Sequence, residues 1–414
     1  MIKRFGFRNF ASFKDGVEIN FEQNSSNSDA TSLEANIGTV LGVKGANGSG
    51  KTNILKALSF LYCFCSKRMT TTTELPDGGK KISIPLENFF DNDEVTEFYI
   101  EFLINDITYY YELDLKRDGI VREEIRRKNK KEIVCLVRKG NKVVDCLKEF
   151  DELRNLKLKL DSSVISLASE YDFHAPMDDL KNMELNFLRV QFNVGADGYR
   201  TANFDDYFKV SEYYKNNPEA LEFTNYVISS VDDGVSDIII EDTVDNNTGE
   251  TKYFPLFTHS NNEYDFEMGL AHESMGTKSL FLNLYKYWLA ISDGSLLILD
   301  EFDTHLHAMI LPEIIELFNN EHINKNHAQL IITAHNTEVI DSLGRYRTYL
   351  VNKENNESYC YRLDEVSMLR NDRLISPIYN KGKIGGVPNN IQGLTARLAK
   401  AWSQEVKEVN EVNE

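Results

Sequence analysis

Apolar and polar residues alternate from Ile2 to Gln23, with Phe5, Phe7, Phe10, Phe13, Val17, Ile19 and Phe21 on the apolar beat. A period of two predicts a strand, a turn at Asp15-Gly16 and a second strand. The Asn/Ser-rich stretch 23–36 predicts a loop. Thr39-Val40-Leu41-Gly42-Val43 reads as a buried strand, and Asn53 to Leu61 has the spacing of an amphipathic helix. Residues 68–84, with Thr70 to Thr73 and Asp77-Gly78-Gly79, predict an exposed connection. Alternation returns from Val95 to Leu115 and breaks at Asn105-Asp106, which predicts a hairpin. Residues 116–235 are charge-rich, with helical stretches expected over 148–160, 176–188 and 204–232. Sheet character resumes at Ile238-Ile239-Ile240, with a turn at Asn246-Asn247-Thr248-Gly249. Beyond it, short apolar runs alternate with amphipathic helices, as α/β units do. The polar stretch 403–414 predicts a frayed end. No internal repeat is visible. The pattern divides the chain into 1–115, 116–235, 236–402 and 403–414.

Composition narrows this only modestly. The 414 residues suffice for two or three ordinary domains. Hydrophobic residues at 42% and charged residues at 27% describe a globular protein with a sizeable core. No apolar run approaches the ~18 residues of a membrane span, and the first residues lack the apolar core of a secretory signal. Five cysteines without metal-ligand spacing predict a reduced, cytoplasmic protein. A net charge of −19 argues against a surface that coats nucleic acid. One local exception runs from Arg122 to Lys131 (Arg122, Arg126, Arg127, Lys128, Lys130, Lys131), followed by Lys139, Lys142 and Lys148. It reads either as a solvated hairpin edge protected by lysines, the simpler reading, or as a nucleic-acid contact.

The chemistry concentrates at Gly45-Ala46-Asn47-Gly48-Ser49-Gly50-Lys51-Thr52, which fits the phosphate-binding pattern G-x-x-x-x-G-K-[ST]. Its glycines let the backbone turn tightly and aim several N–H groups at one anion. Lys51 is placed to reach the β/γ-phosphates of a nucleotide and Thr52 to ligate Mg²⁺. A strand before the loop and a helix after it would put the phosphates on a helix N-terminus. A second apolar run, Leu296-Leu297-Ile298-Leu299, ends in Asp300-Glu301. Asp300 suits the Mg²⁺ shell, and Glu301 suits the general base that polarises an attacking water. A third, Leu330-Ile331-Ile332-Thr333-Ala334, ends in His335, whose imidazole can bond a γ-phosphate oxygen or orient that water. Ligands bind at this strand edge in open α/β sheets. Ser274 and Gly276 precede an apolar helix from Ser279 to Ile291 and would form a second anion-binding device. One phosphate chain seldom needs two from one subunit, so the second is expected to serve a nucleotide held by another copy. A plain helix cap would show the same residues.

Together these residues resemble the ABC-type ATPase heads of the RecF/SMC/Rad50 class. Gly45 to Asn53 is similar to their G-x-N-G-S-G-K-[ST]-N loop, which adds Asn47 and Asn53 to the nucleotide-binding set. Glu273 to Thr277 is similar to their signature loop, Leu297 to Glu301 to the Walker-B strand, Asp303 to the D-loop, and His335 to the switch histidine. Within the class the chain looks most like the AAA15/AAA21 group of prokaryotic ATPases (OLD-like). That likeness includes Leu306-His307, the strand ending in His335, and a tail from Tyr379 to Pro388. It covers roughly 1–115 and 236–390.

The resemblance implies an α/β fold: an ABC-type P-loop head with a mixed sheet flanked by helices. The N-terminal lobe would be 1–115, the C-terminal lobe 236–402, and 116–235 a mainly helical insertion for dimer contact or partner docking. It implies ATP and Mg²⁺ as ligands and a homodimer or higher homo-oligomer with ATP between Lys51 of one head and Ser274 of another. The coupling glutamine of such heads has two candidate places, Gln191 and the neighbourhood of Phe89-Phe90. Met275-Gly276 in the signature argues against a transporter subunit. The implied role is the ATPase of an anti-phage system such as PARIS, RloAB or Septu, sensing a phage protein or DNA and controlling a separate Toprim or HNH nuclease. The alternative is a DNA-repair ATPase of the RecF or Rad50 kind that binds DNA ends.

Overall fold

The computed structural model describes residues 1–402 except 24–31, 35–36, 67–68, 75–79, 196–197, 200–206, 245–248, 261–262, 370–372 and 389–392. The expected polar end 403–414 and most of the expected loop 23–36 and turn 246–249 lie outside the described residues.

Two large sheets organise the chain. The first has seven antiparallel strands in the order 142–146, 132–139, 119–128, 107–116, 96–104, 2–8, 17–20. Phe98, Ile100, Phe102, Tyr109, Tyr111, Leu113 and Leu115 are buried on one face. Their neighbours in sequence carry charge to the other, as one-sided antiparallel sheets do. The second sheet has six strands in the order 190–192, 296–299, 329–333, 40–45, 348–354, 357–362. Its first five strands run parallel and the last returns antiparallel.

The inner parallel strands are mostly apolar because both faces are covered, with Lys44, Gln329 and Thr333 as polar exceptions near their ends. Leu41, Val43, Leu296, Ile298 and Ile331 join one core with the helix Lys51–Ser66 and the seven-stranded sheet. Val40, Leu297, Leu299, Leu330 and Ile332 join a second core with the helices Met275–Asp293 and Ile310–Asn319. Successive side chains therefore serve opposite layers. The helix Lys51–Ser66 is wedged between the two sheets, with Phe60 stacked on Phe98 at 5.4 Å. Among the described residues no helix is long and apolar enough to cross a membrane.

The expected mainly helical insertion is corrected over its first part. Residues 119–128, 132–139 and 142–146 are strands that extend the first sheet, and the strand 107–116 crosses the expected boundary at 115/116. The expected helix 148–160 is a short 3-10 helix, Lys148–Asn155. The expected helix 204–232 is two helices, Tyr207–Asn216 and Pro218–Val231, because Pro218 lacks the N–H that would continue the first. The helix expected over 176–188 is present as Asp178–Leu188.

Both readings of the basic stretch also change. The strand 119–128 lies between two others, so it is not a hairpin edge. Arg122 pairs with Glu112 and Glu124, and Arg126 with Glu112, Glu124 and Glu132. Arg127 pairs with Glu149 and Asp179. These guanidinium groups neutralise carboxylates of the neighbouring strands and, for Arg127, of two helical segments.

Candidate nucleotide site

The site is built at one end of the parallel sheet, where its strands deliver their C-terminal residues. The strand Val40–Gly45 runs into the loop, and the helix begins at Lys51. Gly50 has φ +111, and a Cβ there would lie 2.7 Å from Ser358 Oγ and 2.9 Å from Ser12 Oγ. Only glycine fits that conformation and that space. Ser358 Oγ donates to Ser49 O at 2.6 Å and lies 2.7 Å from Ser12 Oγ, while Asn53 Nδ2 donates to Ser12 Oγ at 2.8 Å. Two distant segments thus clamp the loop from behind. Asn53 serves this clamp, and Asn47 and Gly48 are exposed at the loop tip.

Lys51 Nζ donates to Gly45 O at 3.0 Å and Ala46 O at 3.2 Å, so its ammonium is held inside the loop it belongs to. Burial pushes its pKa below the ordinary lysine value, opposed by the charges of Asp300, Glu301 and Asp303. No acidic side chain lies in the first turn of the helix. The N-terminal dipole and Lys51 act in the same sense on an anion.

Asp300 is 2% exposed and is held on every side. Its Oδ2 accepts from Thr52 Oγ1 at 2.7 Å and its Oδ1 from Thr333 Oγ1. Asn193, at the end of the strand Val190–Phe192, brackets its backbone: Asp300 N donates to Asn193 Oδ1 at 2.7 Å, and Asn193 Nδ2 donates to Asp300 O at 2.9 Å. Cis oxygens around octahedral Mg²⁺ at 2.0–2.1 Å sit about 2.9 Å apart. The Thr52–Asp300 oxygen pair matches both that spacing and the hard-oxygen preference of Mg²⁺, so these residues fit the ion.

Glu301 has φ +49, a left-handed conformation uncommon for a side-chain-bearing residue. Its N–H donates to Thr333 Oγ1 at 2.8 Å, and Phe302 N donates to Thr333 O at 2.9 Å. Thr333 therefore fixes the Asp300 carboxylate and the Glu301 backbone from the neighbouring strand. Asp303 reaches the next loop: its carboxylate accepts from His335 N at 2.9 Å and Asn336 N at 2.6 Å. The His335 side chain is exposed at this edge.

Lys44 holds the same loop from below. It is 4% exposed and donates to His335 O at 2.6 Å and Asn336 O at 2.9 Å, with Ala334 O at 3.5 Å. Its ammonium also lies 5.1 Å from the Tyr379 ring centroid. Burial pushes its pKa down to about 8, with Asp303 opposing. Tyr379 OH donates to Gly386 O at 2.7 Å, and Gly386 N donates to Asn352 Oδ1 at 2.7 Å. The glycine-rich tail therefore packs beside the start of the phosphate loop.

Ser274 caps the helix Met275–Asp293, its Oγ accepting from Thr277 N at 3.1 Å. Thr277 Oγ1 donates to Asp232 at 2.6 Å. A Cβ on Gly276 would stand 3.1 Å from His305 O, so this turn abuts the residues just past Asp303. Among the described residues no hydrogen bond joins Ser274 or Gly276 to the loop 45–53.

Lys51, Thr52, Asp300, Glu301, Asp303 and His335 thus meet at one sheet edge, while Ser274 and Gly276 face outward beside it. Sequence reasoning missed Lys44, Asn193, Thr333, Ser12, Ser358 and the contact between tail and loop. Thr333 alone had a local signal, a hydroxyl in an otherwise apolar strand. Gln191 pairs within its strand opposite Leu297, and it is Asn193, two residues on, that touches the Asp300 backbone.

A family model described as "AAA domain, putative AbiEii toxin, Type IV TA system" matches residues 40–341. Among solved structures the chain is similar to the Smc head domain with an extended coiled coil, bound to the C-terminal domain of ScpA, from Pyrococcus furiosus. Identity is 13%, with 88% of this chain and 97% of that chain covered and a TM-score of 0.44. It is also similar to the recombination mediator protein RecF–ATPrS of the RecFOR pathway, at 13% identity, 82% and 93% coverage and a TM-score of 0.36. No curated protein matches the chain.

Proposed function

The chain belongs to the AAA-domain family whose model spans residues 40–341, and from that membership we propose an ATP-binding and ATP-hydrolysing switch that assembles by sharing its sites between copies. The observation that carries this reading is the Thr52–Asp300 hydrogen bond of 2.7 Å beside the looped-in Lys51 ammonium. It joins the phosphate loop to the acidic strand end in one oxygen-lined cradle. Thr52 and Asp300 would hold Mg²⁺, which neutralises phosphate charge. Lys51 and the helix N-terminus hold the triphosphate. Glu301 takes the proton of the attacking water, and His335, positioned by Asp303 and Lys44, faces the γ-phosphate.

Ser274 and Gly276 lie outside their own chain's phosphate loop and are free to cap a nucleotide bound by a second copy. The cellular role we infer is the sensor and scaffold of an anti-phage system whose effector, a nuclease of Toprim or HNH type, is a separate chain. The toxin–antitoxin description of the family fits a defence role. The DNA-end-binding alternative is less favoured, since Arg122, Arg126 and Arg127 of its basic stretch are paired with carboxylates of the same chain.

Two measurements test the proposal. Glu301→Gln lowers phosphate release about 10²- to 10⁴-fold while MgATP binding persists; unchanged release removes Glu301 from the base role. The same variant with ATP sediments as a dimer or larger; a monomer under saturating ATP ends the shared-site reading.

A further inference from the structure

Among the described residues the Ser274 hydroxyl bonds Thr277 alone. Its Oγ accepts from Thr277 N at 3.1 Å and lies 2.8 Å from Thr277 Oγ1. Thr277 is buried, and its Oγ1 donates to Asp232 Oδ2 at 2.6 Å. Asp232 is the C-cap of the helix Pro218–Val231, and its N–H donates to Ile228 O at 2.8 Å. Its other carboxylate oxygen, Oδ1, accepts from Gly234 N at 3.1 Å. The backbone before Ser274 is anchored as well. Glu273 is buried, and its carboxylate lies 2.9 Å from His259 Nε2 on the strand Thr251–Ser260. With both flanks of Ser274 held, the hydroxyl proton is the part left to turn.

The direction of each proton follows from the donor count. A carboxylate only accepts, and a hydroxyl has one proton to give. Thr277 gives its proton to Asp232, so the 2.8 Å contact is closed by the Ser274 proton, donated to Thr277 Oγ1. Ser274 is then engaged as donor and as acceptor inside its own chain. What its oxygen shows to the outside is a lone pair, which repels an anion. Ser274 can bond a phosphate only after its proton turns away from Thr277.

We infer that Asp232 is a positioning residue for the shared site: through Thr277 it holds the Ser274 proton inward and so sets a threshold for closure on a nucleotide bound by a second copy. The inference rests on the shared-site reading above. Turning the proton outward gives up one neutral hydrogen bond. That loss weakens assembly about 2- to 13-fold relative to a Ser274 released from Thr277.

The test measures the assembly constant of the Glu301→Gln chain in saturating MgATP by sedimentation equilibrium. Asp232→Asn reverses the chain of protons at nearly constant shape. Gly234 N keeps the amide oxygen on its own side, so the amide nitrogen faces Thr277 and donates to its Oγ1. The Thr277 proton then passes to Ser274 Oγ, and the Ser274 proton turns outward. Thr277→Val removes the acceptor and keeps the N–H that caps the helix. Both changes are expected to tighten assembly about 2- to 13-fold, whereas a purely structural role for Asp232 predicts weaker assembly. Thr277→Ser, which keeps the hydroxyl, returns the parent value. Ser274→Ala weakens assembly and cancels the gain of Thr277→Val. Failure of Asp232→Asn to tighten assembly, with Ser274→Ala weakened, overturns this inference alone. So does a gain in Thr277→Val that survives Ser274→Ala. A Ser274→Ala chain that assembles like its parent, or a parent that stays monomeric, overturns the shared-site reading and this inference with it. Unfolding midpoints check that each variant folds, and Asp232→Asn carries the test where Thr277→Val does not.

Discussion

Lys44→Met isolates the buried ammonium that holds the His335 loop. The substitution keeps the length of the side chain and removes its donors to His335 O and Asn336 O at 2.6 and 2.9 Å. Hydrogen bonds to a charged group contribute about 1.5–3 kcal/mol each, so about 3–6 kcal/mol of local interaction is lost. Against this, burying the ammonium is itself costly. Its pKa falls from 10.5 to about 8, mainly through burial, and that gap corresponds to about 3 kcal/mol. The two terms largely cancel in global stability, and the variant is expected to unfold within about 3 kcal/mol of wild type at pH 7.

The local effect does not cancel. With two carbonyls unpaired, the loop opens more readily, and amide exchange at His335 and Asn336 accelerates at least 30-fold. The linkage sign follows from the lowered pKa. Between about pH 8 and 10.5 the unfolded side chain keeps a proton that the folded one has released, so stability rises with pH in that window. Below about 8 both states are protonated and the fold carries the whole cost. Denaturant unfolding from pH 7 to 10 therefore shows wild type gaining on Lys44→Met as pH rises, approaching about 3 kcal/mol. Parallel stability curves, or unchanged amide protection at 335–336, refute the buried-clamp argument.

Four further outcomes follow from the same geometry. Thr333→Val removes the hydroxyl shared by Asp300 and Glu301 N and is expected to cost about 1–3 kcal/mol by denaturant unfolding. It lowers phosphate release more than MgATP affinity. Asp303→Ala unpairs the N–H groups of His335 and Asn336. It lowers turnover at least 10-fold with MgATP binding within 3-fold of wild type, read by calorimetry and phosphate release. Arg138→Met strands Glu123 in the core, where both partners are wholly buried, and destabilises by about 3–5 kcal/mol. The double change Glu123→Leu with Arg138→Met recovers part of that loss, which a double-mutant cycle measures. Gly50→Ala forces a Cβ onto Ser12 and Ser358 at a left-handed position and reduces MgATP binding at least 10-fold.

The strands and turns of the nucleotide site are legible in sequence because their information is local. A both-faces-buried strand is a continuous apolar run, and a phosphate loop needs its glycines, lysine and threonine at fixed spacing. The chain from 116 to 146 misleads for an equally physical reason. One face of its sheet is laced with ion pairs such as Arg122–Glu112 and Arg126–Glu132, so its outward positions carry charges in the density of a solvated helix. Its inward positions, Ile120, Ile125, Cys135 and Leu136, are too sparse to announce a strand.

The sequence by itself determined which residues are the candidates to bind phosphate and metal and which strands carry them. Only the tertiary structure decided what holds them still. Asn193 meets Asp300 across 107 residues, Ser358 meets Ser49 across 309, and Lys44 meets the His335 loop across 291. Such contacts arise because strands far apart in sequence meet at the same sheet edge. Their polar groups must then satisfy one another where water is excluded, and no spacing along the chain records that.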